Sequence, residues 1–193
     1  MSAYRMRLLN TLVLTLGLPS VFLGVTSPTA AADSGVTETT RDYGDGCVLY
    51  SDDKAATIDS LRFRCSAEQQ DAIFHDAPLG AVPMGPTDGW VTRPPVMQTI
   101  APALWIGKTF YTGPEGGYLL NRLTRAGIES WPADVYAAPA LTDGQPTWVL
   151  DYTPSPTPPV YDEIREVTPG VWFGYSWWRG AFQTTLLLTF ALA

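Results

Sequence analysis

The chain has 193 residues, 46% of them apolar and 16% charged, with 17 Gly, 17 Pro and a formal charge of −7. That composition excludes long disorder, which needs low hydrophobicity and high charge, and it excludes a coiled coil, which tolerates far less Gly and Pro. The acidic balance argues against affinity built on neutralising phosphates, so nucleic acid is not an expected partner, and the length points to one domain with appendages.

At the N-terminus, Arg5 and Arg7 precede an apolar run from Leu8 to Val25, and the small residues Thr29 to Ala32 stand just before Asp33. This is the layout of a secretory signal peptide, so residues 1–32 are read as a signal and the mature chain as secreted or extracytoplasmic. Pro19 and Gly24 interrupt the run, which argues against a permanent anchor, and no membrane span is expected after signal removal. Removing residues 1–32 takes away Arg5 and Arg7 alone, leaving 10 basic against 19 acidic residues and a formal charge of −9. Such a domain is expected to be a soluble monomer repelled by anionic surfaces.

Residues 33–46, rich in Thr, Ser, Gly and Asp, read as a flexible arm. Cys47 and Cys65 are the only cysteines and have one possible connectivity in an oxidising compartment. Closing a loop of that size contributes about 3 kcal/mol in the chain-entropy picture. From Asp53 to Arg64 the pattern is helical, with Asp53 as cap, Ala56, Ile58 and Leu61 on the apolar side, and Phe63 a candidate for it. A second helix starts at a capping box, Ser66 with Gln69, carries Ala72, Ile73 and Phe74, and stops at Pro78. Residues 47–78 are therefore a disulfide-tied helical prefix.

In residues 79–193 the pattern changes, and short β-branched and aromatic segments alternate with Pro and Gly. Candidate strands are Gly89–Thr92, Leu104–Tyr111, Tyr118–Thr124, Glu129–Ala137, Thr147–Thr153, Asp162–Val167, Val171–Arg179 and Thr184–Leu192, separated by turn signals such as Gly113–Gly117, Asp143-Gly144 and Pro169-Gly170. Eight strands at intervals of about a dozen residues predict a mainly β fold, an antiparallel up-and-down barrel or a sandwich. Pro154 to Pro159 reads as a stiff extended crossing. The run Leu186–Leu192 is apolar on both faces, which favours closure or a cover from the helical prefix.

Strand alternation gives several faces that mix aromatic and polar groups. Val171, Phe173, Tyr175 and Trp177 share one face of their strand, and Trp172, Gly174, Ser176 and Trp178 the other. A barrel of about eight strands either fills its interior or holds one small ligand, and a void of about 300 Å³ or more would support the latter. Trp105, Asn121, Tyr152, Arg165, Tyr175 and Trp177 are the candidate lining of a pocket for a small apolar or amphiphilic molecule, with Arg165 and Asn121 placed to orient a carboxylate or carbonyl.

Common catalytic kits are missing from the sequence. His75 is the single histidine, no G-x-S-x-G elbow or phosphate loop occurs, no clustered Cys/His metal motif is found, and no cofactor or metal is expected. The carboxylates Asp151, Asp162, Glu163 and Glu166 flank a Pro-rich crossing, where charges are ordinarily solvated. A barrel isomerase, cyclase or hydrolase using Asp151 or Glu163 as acid–base is the enzymatic alternative, and an envelope-associated protein with a filled barrel is the structural one.

Several of these residues carry a resemblance. Trp105-Ile-Gly107-Lys108-Thr-Phe110, Asn121-Arg122, Trp131-Pro132 through Val135-Tyr136, and Asp143-Gly144-Gln-Pro146 with Val149-Leu-Asp151-Tyr152 resemble an uncharacterised bacterial family. So does Asp162-Glu163-Ile-Arg165-Glu166-Val-Thr-Pro169-Gly170, leading to Gly174 and the closing strand Leu186–Leu192. The W-x-G-K-x-F element is also distantly similar to families named for a G-x-W-x-G motif. The resemblance implies a calycin-like β-barrel with no activity to carry over. It departs from the lipocalin pattern, since Gly89-Trp90 and Trp105-Ile-Gly107 are the nearest approach to the G-x-W of a first strand.

Overall fold

In the computed structural model, residues 39–123 and 126–193 are described; the signal-peptide reading lies outside them, as do Thr124 and the first part of the arm. A small hairpin comes first, β1 (Thr40–Asp42) and β2 (Val48–Tyr50). The last part of the expected arm is thus a paired strand. Two helices follow, α1 (Lys54–Phe63) and α2 (Ala67–Asp76). Asp53 caps α1 by accepting from the Ala56 amide at 2.9 Å, and the Ser66–Gln69 capping box starts α2. Cys47 and Cys65 form the disulfide, tying the hairpin to the turn between the helices. Ile58 and Leu61 are buried, but Phe63 is 63% exposed and lies off the apolar side.

Eight antiparallel strands then close into a barrel: β3 (Gly85–Arg93), β4 (Gly107–Gly113), β5 (Gly116–Arg122), β6 (Glu129–Pro139), β7 (Pro146–Asp151), β8 (Val160–Thr168), β9 (Val171–Arg179) and β10 (Thr184–Leu192). Each strand pairs with its sequence neighbours, and β10 returns to β3 to complete the wall. All eight expected strands are present, and the barrel excludes the sandwich. Between β3 and β4 lies an element that sequence patterning does not predict, a short helix α3 (Pro95–Ile100) running into a 3-10 turn at Ala101–Ala103. The Pro154–Pro159 segment is not an extended crossing. It turns twice, with Ser155 N–H donating to Tyr152 O and Val160 N–H to Thr157 O, because β7 and β8 are adjacent and need a reversal.

The core has two layers on opposite sides of one wall. Inside the barrel, Phe110, Leu119, Ala133, Val135, Trp148, Leu150, Ile164, Trp172, Phe190 and Leu192 pack together. Outside, α1 and α2 bury Ile58, Leu61, Ile73 and Phe74 against Val167, Val171, Phe173, Tyr175 and Ala191. This explains why β9 and the last part of β10 are apolar on both faces, one looking into the barrel and the other lying under the helical prefix, whereas Leu186 and Leu187 at the start of β10 are exposed. Among the described residues, no helix is long and apolar enough to cross a membrane.

The two ends of the barrel differ. At one end the chain leading into β3 closes the interior: Leu79 and Val82 pack on the inner cluster, and the indoles of Trp148 and Trp172 donate to Gly80 O at 3.2 Å and Ala81 O at 2.7 Å. A side chain at Gly80 would put its Cβ 2.3 Å from that of Glu166, so only glycine fits this plug. The other end carries α3 and the β5–β6, β7–β8 and β9–β10 connections.

Candidate functional site

The open half of the barrel holds a cavity of about 270 Å³, just under the figure expected of a ligand site. Its wall is mostly apolar: Val91 and Phe190 from the strands, Trp131 from β6, Leu188 from β10, and Met97, Ala101 and Leu104 from the helical element above β3. The closed half is filled. The barrel therefore combines the packed and hollow alternatives in its two halves.

At the floor of the hollow stands a polar cluster. Lys108 is distant in sequence from all of its partners, yet the barrel wall brings it to Asn121 on β5, to Tyr152 just after β7 and to Asp162 on β8. Its ammonium donates to Asn121 Oδ1 at 3.1 Å, to Asp162 Oδ2 at 3.1 Å and to the Tyr152 hydroxyl, so all three protons are used. Nζ also lies 5.1–5.4 Å from the ring centroids of Trp105, Tyr152 and Phe190, an aromatic surround that suits a cation. Asn121 accepts from the Trp105 indole at 3.0 Å and donates to Trp131 O at 2.9 Å and the Tyr152 hydroxyl at 3.0 Å. Gly89 makes room for this indole, since a Cβ there would lie 2.4 Å from the Trp105 ring.

Lys108 and Asp162 are each 3% exposed. Burial works against the lysine's charge, but Tyr152 and Asp162 together outweigh it and hold the ammonium above its ordinary value. Burial, aided by the Asp162 charge, pushes the Tyr152 phenol up to about 12, so at neutral pH it is a neutral hydroxyl. The one open valence is on Asp162. Its Oδ1 is buried and has no hydrogen-bond partner among the described residues.

Of the six residues expected to line a pocket, Trp105, Asn121 and Tyr152 do so. Arg165, Tyr175 and Trp177 do not. They occupy the opposite faces of β8 and β9, outside the barrel, where the helical prefix covers them. Arg165 is fully buried and uses all five N–H groups: two on the Asp143 carboxylate at 2.7 and 2.8 Å, and one each on Phe74 O, Gln145 O and Pro146 O. It joins the last turn of α2 to the β6–β7 loop and orients no ligand in the hollow. Tyr175 and Trp177 stack on each other and border an outer groove of about 340 Å³ with Asp71, His75 and Arg93.

The charges around the Pro-rich segment are not solvated either. Asp162 enters the hollow. Glu163 is fully buried on the outer face, where it accepts from the Leu141 amide at 2.7 Å and the Trp177 indole at 3.0 Å, and burial raises its pKa. Glu166 accepts from the Ala81 and Gly170 amides, both at 2.7 Å, pinning the plug. Asp151 lies outside, and against the effect of its burial the hydrogen bonds from Arg179 and Thr153 hold its pKa at about 2. Neither Asp151 nor Glu163 touches the hollow, so an acid–base reaction there cannot be built on them.

Lys108 and Asp162 are the site residues that strand alternation alone did not pick out. A signal was present: Lys108 precedes Phe110, Asn121 follows Leu119, Tyr152 follows Trp148 and Leu150, and Asp162 precedes Ile164 on their inner faces. Each is the polar member of an apolar alternating set, and in an antiparallel meander each falls at the same end.

No family model matches the chain, and no curated protein matches it. A crystal structure of a protein from Thermomonospora curvata is similar at 16% identity and a TM-score of 0.46, covering 67% of this chain and 87% of that one.

Proposed function

We propose that this is an exported binding protein that takes up a small apolar or amphiphilic molecule in the open half of its barrel. The observation that carries the reading is the hollow itself, an apolar-lined cavity of about 270 Å³ open at one end, with a buried polar cluster at its floor. Pockets of this composition bind small molecules by shape and orient them with a few polar groups. The volume is less than twice that of an apolar cavity of about 150 Å³ that takes benzene, so an occupant of roughly ten to fifteen heavy atoms fits. The signal-like N-terminus and the disulfide support export.

Titration with 1-aminoanthracene, a fluorescent probe of this size, tests the reading. The expected result is saturable enhancement of probe emission with quenching of Trp emission, since Trp105 and Trp131 line the hollow. Ser176 also lines it, and Ser176→Phe should fill the space and abolish binding while leaving the far-ultraviolet circular dichroism intact. Equal probe binding by this variant, or no binding by the natural sequence, defeats the proposal.

A further inference from the structure

The polar cluster allows the ligand class to be narrowed, an inference that rests on the binding function proposed above. Every hydrogen-bonding group of Lys108 and Asn121 is engaged within the protein. The site therefore has no spare donor of theirs for a ligand carboxylate or carbonyl, which is the opposite of what Arg165 and Asn121 suggested in sequence. What the cluster offers is an acceptor. Asp162 lines the hollow, its Oδ2 is held by Lys108, and its Oδ1 is buried without a partner among the described residues.

We infer that Asp162 selects ligands carrying a hydrogen-bond donor, so that the barrel takes a compact hydrocarbon bearing a hydroxyl or amino group and rejects the corresponding acid. Two physical effects act together. A donor that satisfies Asp162 Oδ1 forms a charge-assisted hydrogen bond inside an apolar wall, where such bonds are strongest. A carboxylate brought to the same place meets the Asp162 charge and finds the Lys108 protons already committed. An ether or plain hydrocarbon fills the space but leaves Oδ1 bare, which a buried carboxylate oxygen tolerates poorly. Discrimination through a buried hydrogen-bonding group exceeds what an apolar wall achieves by shape alone.

The test uses three ligands on one skeleton: 2-naphthol, 2-methoxynaphthalene and 2-naphthoate, titrated calorimetrically into the mature protein at pH 7. Tighter binding of naphthol than of the methyl ether by tenfold or more, with naphthoate weakest, is expected from the strength of a hydrogen bond to a charged group. Asp162→Asn should shrink the naphthol preference. Lys108→Met with Asp162→Leu, which removes both charges together, should abolish it and leave methoxynaphthalene bound. If the three ligands bind the natural protein equally, or naphthoate binds best, donor selection by Asp162 is overturned while the binding function stands. If none of them binds and 1-aminoanthracene does not either, both inferences fall.

Discussion

The Lys108–Asp162 pair offers a sharp test of how the hollow is built. Both side chains are almost entirely removed from water and lie 3.1 Å apart. Lys108→Met keeps most of the side chain's length but deletes the cation, leaving Asp162 buried among aromatic rings and an amide. Removing one partner of a buried pair costs about 3–5 kcal/mol, because the surviving charge is uncompensated. Against a domain stability of about 5–15 kcal/mol, that loss is large. Adding Asp162→Leu removes the stranded charge and places apolar volume in a wall that already holds Leu188 and Phe190. Replacing a whole buried pair with apolar groups is often neutral or stabilising, so the double variant should return to within about 1 kcal/mol of the natural protein. Urea unfolding of all four members of the cycle at pH 7, followed by Trp emission, measures this directly. A loss below about 1 kcal/mol in Lys108→Met, or a double variant no more stable than that single one, would refute the claim that the pair is desolvated.

Two further outcomes concern the outer layer. Asp143 has its pKa lowered to about 2, chiefly by the Arg165 hydrogen bonds, so it stabilises the fold above its ordinary value near 3.8 and loses that contribution as pH falls toward 2. Allowing for solvent screening at its rim, Asp143→Asn should cost about 1–2 kcal/mol at neutral pH, with the gap to the natural protein narrowing between about pH 4.5 and 2; a gap of constant size across that range would contradict the assignment. Replacing Cys47 and Cys65 by alanine should lower stability by about 3 kcal/mol, read as a shift in the urea midpoint. An unchanged midpoint would show that the hairpin and helix caps already hold this region closed.

How much was readable in the sequence depended on whether a local rule was decisive. Strand positions were, because Gly and Pro punctuate them and β-branched and aromatic residues fill them. The capping box at Ser66 and the single cysteine pair were decisive for the same reason. Choosing the inner face of β8 and β9 was not, because alternation separates two faces without saying which one helices will cover. Tyr175 and Trp177 are as aromatic as Trp172, so composition could not rank them. Arg165 misled because a guanidinium inside a barrel would signal a ligand, whereas its partners here come from α2 and a loop some twenty residues upstream. The helix α3 went unpredicted because six residues are too few to show a helical period, although Pro95 stands in a first helical turn, where proline is favoured.

The order of the barrel strands has a kinetic consequence. Seven of its eight pairings join segments that are consecutive along the chain, and only the seam between β3 and β10 brings distant stretches together. Most of the wall can form by successive hairpins closed by short loops, β3–β4 being joined through α3, and the largest loop-closure entropy is met once, at the seam. Substitutions at the seam, such as Thr92 and Thr189 whose hydroxyls bond across it at 2.6 Å, should act on the refolding or the unfolding arm according to whether that junction is made before or after the rate-limiting step.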